Sequence, residues 1–325
     1  MFGRFPRAAM ALLAFLTLAT PIAPGPDPGP GGQGNARLFS RPVPLDPDQP
    51  TERRLGPLTF VGGWVLSSDD RRFGAISSMS VAGGRVVALS DQGIIFRFAL
   101  PVTDRASVEI HPLREGPGSP SSKADRDSES LALFGGNAWL GYENSNQIWR
   151  FRVADWAAAA RAAPPGMKDW PPNVGAEAML RLPDGRFLVF AEHLDDDDGN
   201  SAAILFSGDP AEQGTPAMTL RYRPPGGHRI TDAALLPNGR LILLSRGFTV
   251  SGGWSAKLLT AELPGQAGEL MQTYEVATLA TPLTVDNMEA LAVTVEQGRT
   301  ILWIASDDNL IPLQRTLLMK FEVAE

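Results

Sequence analysis

Acidic side chains recur at matched places along this chain. Glu129, Glu177, Asp232 and Glu289 each open a short apolar segment, and Asp91, Glu143, Glu192 and Asp307 each close the segment that follows. Ser77 and Arg246 stand where the same pattern calls for an opening and a closing acid. Carboxylates gathered at one spot raise one another's pKa or are neutralised by a cation. Hard oxygen ligands in such a cluster suit Ca²⁺, which takes about six to eight of them. Glu129, Glu143, Glu177, Glu192, Asp232, Glu289 and Asp307 are therefore candidate metal ligands, with Asp308 beside them. Asn144, Asp286, Asn287 and Asn309 are near in sequence and available to add oxygens.

Arg246 is the one cation in the pattern. It either clamps an anionic group or organises the acids through a salt bridge to Glu192 or Asp232. With Asp91 and His228 it makes up the candidate catalytic set. His228 follows Pro224-Pro225-Gly226-Gly227 and is expected to point toward the acids. The three histidines, His111, His193 and His228, show no zinc spacing, and G-x-S-x-G and S-x-x-K nucleophile motifs are absent. The plain alternative for each acid is a hydrogen bond to a neighbouring backbone N–H. Recurrence at one place in the pattern favours a shared site.

The elements that must position these residues are hairpins. Five segments repeat the same plan, starting at Ser77, Glu129, Glu177, Asp232 and Glu289. Each is an apolar run, a turn (Gly83-Gly84, Gly135-Gly136, Asp184-Gly185, Asn238-Gly239 or Gln297-Gly298) and a second apolar run. The turns supply the positive φ that tight hairpins need, and the unalternated runs mark strands buried on both faces. The spacing leaves room for two more strands per repeat, such as Ile94–Phe98, Ile148–Val153, Ile204–Phe206 and Lys257–Glu262. Four strands per repeat is the blade of a β-propeller. The expectation is an all-β propeller of five blades, or six with one degenerate blade. Leu58–Leu66 and Leu317–Val323 should share the closing blade. One short inserted helix is expected over Asp155–Ala163, ended by Pro164-Pro165. The start of a first strand and the end of its antiparallel partner lie at one end of a hairpin, so the acids should meet at one mouth of the central channel.

Composition limits the partners. The net charge of −7 and the lack of a basic run argue against nucleic acid. The absence of cysteine excludes disulfides and a thiol nucleophile. Arg4 and Arg7 before the apolar run Ala8–Ala19 read as a signal peptide over 1–23, with an uncleaved N-terminal anchor as the alternative. The Pro/Gly-rich stretch that begins PIAPGPDPGPGGQG reads as a flexible linker over 24–57, with order beginning near Leu58. The propeller domain is placed at 58–325. Asp195-Asp196-Asp197-Asp198-Gly199-Asn200 lacks the spacing of a Ca²⁺ loop and is read as a solvated acidic loop.

Several segments together resemble the bacterial phytase-like family described by the esterase-like activity of phytase. They are Ala88-Leu89-Ser90-Asp91-Gln92-Gly93, Asp127-Ser128-Glu129-Ser130-Leu131-Ala132, Asn173-Val174-Gly175-Ala176-Glu177-Ala178, Ser245-Arg246-Gly247-Phe248, Asn287-Met288-Glu289-Ala290-Leu291, and Ser306-Asp307-Asp308-Asn309 with Gln314-Arg315-Thr316. The resemblance implies an exported, periplasmic or secreted β-propeller that hydrolyses phosphate or carboxylic esters. Phytases proper are Ca²⁺-dependent. Ser77 and Arg246 depart from the fuller acidic pattern, and the basic residues that phytate would need are few. The expected partner is a small-molecule ester or phosphoester and the expected state a monomer. A non-catalytic envelope scaffold and a lactonase-like Ca²⁺ propeller are the alternatives.

Overall fold

The computed structural model describes residues 31–103, 106–193 and 198–324. The chain opens with β1 (Gly34–Pro42), β2 (Arg54–Leu55) and β3 (Leu58–Ser68). Four successive four-stranded antiparallel units follow. The first is β4 (Ile76–Ala82), β5 (Arg85–Ser90), β6 (Ile94–Ala99) and β7 (Ala106–Pro112). The second is β8 (Ser128–Phe134), β9 (Asn137–Tyr142), β10 (Gln147–Arg152) and β11 (Ala158–Ala162). The third is β12 (Ala176–Arg181), β13 (Phe187–Ala191), β14 (Ser201–Phe206) and β15 (Ala217–Tyr222). The fourth is β16 (Arg229–Leu235), β17 (Leu241–Thr249), β18 (Gly253–Ala261) and β20 (Thr273–Ala280), while the short β19 (Leu270–Met271) pairs with β15. β21 (Met288–Glu296), β22 (Arg299–Ser306) and β23 (Thr316–Val323) take β3 as their outer strand and complete the fifth blade. The described residues thus form a five-bladed β-propeller, closed by a strand from each end of the chain as the sequence predicts.

The core is divided among the blade interfaces. Five clusters of buried side chains each join two neighbouring blades: Ile242 and Leu244 of blade four meet Leu302 and Ile304 of blade five, and Phe190 of blade three meets Leu243 of blade four. The innermost strands β4, β8, β12, β16 and β21 lie against one another around the channel. The hairpin turns use the expected residues: Gly83 and Gly84 sit at φ +56° and +71°, the left-handed region.

Two expectations are corrected. The stretch 24–57 is not a linker throughout, because β1 pairs with both β3 and β7 and bridges the outer strands of blades five and one. The segment Asn35–Ser40 lets Leu38 point into the core with no exposure, so order begins well before Leu58. The helix over Asp155–Ala163 is instead a turn followed by β11. Trp156, buried at φ +54°, anchors the turn, and β11 supplies the fourth strand that blade two lacks. Alanine propensity yields there to the unpaired edge of β10. The short helix is elsewhere: α1 (Lys123–Arg126) precedes blade two and is capped by Ser122, whose Oγ accepts from Asp125 N. Residues 1–23 and Asp195–Asp197 lie outside the described residues. No described helix is long and apolar enough to cross a membrane.

Candidate functional site

Every blade's first hairpin has a bulge at the same place. The ladder skips one residue of the first strand, between Ile76 and Ser78, Ser128 and Ser130, Ala176 and Ala178, Ile230 and Asp232, and Met288 and Ala290. The skipped residues are Ser77, Glu129, Glu177, Thr231 and Glu289. A bulge re-aims its side chain and bends the strand, and here it marks the channel mouth. Thr231, not Asp232, is the fourth blade's equivalent residue. In the two blades where a hydroxyl replaces the acid, it ties adjacent blades together: Ser77 Oγ donates to Ser128 O at 2.7 Å and Thr231 Oγ1 to Met288 O at 3.1 Å.

The mouth is a cavity of about 370 Å³ lined by eight carboxyl groups, with three cations among the described residues. Asp91, Glu143, Glu192 and Asp307 come from the ends of the second strands and Glu129, Glu177 and Glu289 from the bulges. Asp127 is the eighth. The cations are Lys123, Arg229 and Arg246. Arg246 Nε lies 2.6 Å from Glu289 Oε1 and its Nη2 3.1 Å from Glu192 Oε1; Arg229 Nη1 reaches Glu192 Oε2 at 3.1 Å. On the far side, α1 holds Lys123 so that Nζ lies 3.0 Å from Asp91 Oδ2 and 2.7 Å from Asp127 Oδ1. Asn144 donates to Asp127 Oδ2 and accepts from Asn173 N, joining blade two to the start of blade three.

Burial without enough counter-charge shows in the proton affinities. Burial lifts Glu143 to about 8, helped by the negative charges of Asp127 and Glu192. Burial lifts Glu289 to about 7 and Asp91 to about 6, against the pull of Arg246 and Lys123 respectively. Glu129, Glu177 and Asp307 are pushed well above the ordinary carboxylate range, first by burial and then by neighbouring acids. Burial would lower Lys123 and Arg246, but the surrounding carboxylates outweigh it and raise both.

Carboxylate oxygens of Asp127, Glu129 and Glu143 lie within 4.8 Å of one another. Two further acceptor oxygens in the cavity, Asp91 Oδ1 and Asn287 Oδ1, have no hydrogen-bond donor although their residues are only 6% and 3% exposed. Buried acceptors of this kind are normally satisfied. The donor set is oxygen throughout, and it fits a hard divalent cation.

Three of the candidate residues fall elsewhere. Asp232 lies further along the channel, where its carboxylate accepts from Leu291 N at 2.7 Å, Ala233 N at 2.8 Å and Ser78 Oγ at 3.3 Å. Asp308 fastens blade five to blade one by accepting from Ala75 N at 2.9 Å, with Thr316 Oγ1 donating to it at 2.8 Å. His228 does not line the cavity; its Nε2 meets Ser255 Oγ at 3.1 Å. Sequence reasoning missed Asp127, Lys123, Arg229, Asn173 and Trp254 as cavity residues. Only Asp127 carries a sequence signal, since it precedes Glu129 by two, as Asn287 precedes Glu289.

A family model described as "Phytase-like: Esterase-like activity of phytase" matches residues 71–310. No curated protein matches the chain in sequence. Among solved structures, the glutaminyl cyclase of Myxococcus xanthus is 11% identical with a TM-score of 0.47, the alignment covering 82% of this chain and 97% of that one. The Malassezia sympodialis allergen Mala s 1 is 13% identical with a TM-score of 0.45, over 87% of this chain and 95% of that one. The Cps50 (Swd1) β-propeller domain of Myceliophteria thermophila is 11% identical with a TM-score of 0.39, over 78% and 97%.

Proposed function

Because this chain belongs to the phytase-like family described by the esterase-like activity of phytase, we propose that its acidic mouth is a Ca²⁺-dependent site that hydrolyses a small phosphate or carboxylic ester. The observation that carries this is the pairing of a carboxylate cluster with two buried oxygens that have no donor, Asp91 Oδ1 and Asn287 Oδ1. Asp127, Glu129 and Glu143 would hold the ion. A bound divalent cation would offset the excess negative charge and act as a Lewis acid toward a phosphoryl or carboxyl oxygen.

The chain's own groups divide the remaining work. Arg246 has five N–H donors. Its two ion pairs use Nε and Nη2 and leave Nη1 for an anionic oxygen. Asp91 is ionised above about pH 6, and its free Oδ1 is the atom that would take a proton from the attacking water. Glu289 and Glu192 fix Arg246 in place, so its charge needs no reorganisation when the ester arrives.

The test is turnover of 4-nitrophenyl phosphate and 4-nitrophenyl acetate by chelated protein, with and without added Ca²⁺. Ca²⁺-dependent release of nitrophenol that is lost in Arg246→Met supports the reading. Equal rates in every condition would leave the mouth without a catalytic role. The same reading places the protein in the periplasm or outside the cell, as a monomer. The N-terminal residue of protein recovered from the periplasmic fraction, and its mass in solution, check those two points.

A further inference from the structure

Among the described residues, one hairpin is longer than the rest. β5, β9, β13 and β22 end one residue short of their mouth acids, at Ser90, Tyr142, Ala191 and Ser306, whereas β17 runs past Arg246 to Thr249. Its ladder with β18 continues through Gly247↔Ser255, Phe248↔Trp254 and Thr249↔Gly253. At about 3.4 Å per residue pair the hairpin rises about 10 Å beyond the mouth. It is braced from below: Gly247 sits so close to the Gly227 carbonyl that a Cβ would collide with it, and His228 Nε2 meets Ser255 Oγ at 3.1 Å.

This overhang is apolar. Phe248 is 57% exposed and Val250 91% exposed. Phe248 and Trp254 pack with ring centroids 4.9 Å apart, and the Arg246 guanidinium carbon lies 6.0 Å from the Trp254 ring. Trp254 is the one apolar side chain that lines the cavity among the described residues; the others are charged or amide groups. In the amide orientation that satisfies Gln314, its oxygen accepts from Trp254 Nε1 at 3.2 Å, which fixes the ring from its polar edge. Arg246, Trp254 and Phe248 therefore form a continuous path from the charged floor to an exposed aromatic wall.

We propose that this wall is a subsite for the apolar, aromatic portion of the ester, so that the preferred substrate is an aryl phosphoester with a single phosphoryl group and not a densely charged polyphosphate. The inference rests on the hydrolase reading above. Every described cation in the cavity is already held by carboxylates, which leaves little charge for a polyanion. A flat ring laid against Trp254 and Phe248 covers apolar surface that is otherwise in water, and keeps its anionic end within reach of Arg246.

The experiment is calorimetric binding of phenylphosphonate and methylphosphonate to the Ca²⁺-loaded protein, which needs no turnover. The wild type should bind the phenyl compound about tenfold more tightly than the methyl compound. That ratio should fall severalfold in Phe248→Ser, an exposed position whose variant should keep the fold by circular dichroism. Equal affinities in the wild type, or a ratio unmoved by Phe248→Ser, would overturn the aromatic subsite and leave the hydrolase reading standing. Failure of both phosphonates to bind would overturn the aromatic subsite together with the phosphoester form of the hydrolase reading.

Discussion

The Lys123 ammonium stands 3.0 Å from Asp91 Oδ2 and also touches Asp127, so a cation carried by the protein already sits over carboxylates that belong to the proposed metal site. Lysine and metal ion then compete for Asp127. Lys123→Met should raise Ca²⁺ affinity at least tenfold, because even at water-like dielectric a unit charge about 4 Å from a divalent ion repels it by about 2 kcal/mol. Titration calorimetry of the two proteins measures it. Weaker binding in the variant would mean that Lys123 supports the site and does not compete for it.

The raised carboxyl pKa values fix the sign of a pH effect on the metal-free protein. Asp91, Glu289 and Glu143 titrate near 6, 7 and 8 when folded, and near 4 when unfolded. Between about pH 4 and 8 the folded state therefore holds more protons, and stability falls as pH rises through that window. The melting temperature in chelator should drop from pH 5 to pH 8. Ca²⁺ favours the ionised carboxylates and should flatten the slope. A melting temperature that climbs with pH in chelator would contradict the assignment.

The bulge register separates two adjacent residues of blade four. Thr231→Val removes a hydroxyl that donates to Met288 O across the blade interface, a loss of about 1 kcal/mol and about 1–2 °C in Tm. Asp232→Asn changes a carboxyl group outside the mouth and should leave Ca²⁺ stoichiometry intact. Glu129→Gln, which alters a mouth residue, should weaken binding. Thermal melts and calorimetry on the three variants decide it. Loss of the ion in Asp232→Asn would restore Asp232 to the site.

Gly175 lets blade three approach blade two at the mouth. A Cβ there would overlap the backbone carbonyl and Cα of Glu143. Gly175→Ala should destabilise the fold by about 1–3 kcal/mol and disturb Glu143 together with the cation site. Urea unfolding checks the first effect and Ca²⁺ titration the second.

Much of this architecture is legible in the sequence because each hairpin carries its own signals. Gly83-Gly84 and Gly135-Gly136 can only be tight turns, and the apolar runs around them recur at one spacing, so five blades follow. Glu129, Glu177 and Glu289 are readable as a set because the bulge puts them at one end of three hairpins. The bulge also explains the error at Asp232: counting along the chain cannot tell which of Thr231 and Asp232 the ladder skips. Lys123 and Trp254 were not legible, since one rides on a four-residue helix outside the repeat and the other enters through a hairpin longer than its siblings. Ala158–Ala162 read as helix because propensity is local, while the empty edge of β10 that recruits it is not.

In the proposed function the mouth binds a divalent cation through the carboxylates of blade two. The most direct test is Ca²⁺ titration calorimetry on the chelated protein beside Glu143→Gln, with near-ultraviolet circular dichroism on both to establish the fold. The wild type should bind saturably and the variant at least tenfold more weakly, with unchanged spectra. No heat of binding in the wild type, or equal binding by the two proteins, would contradict it.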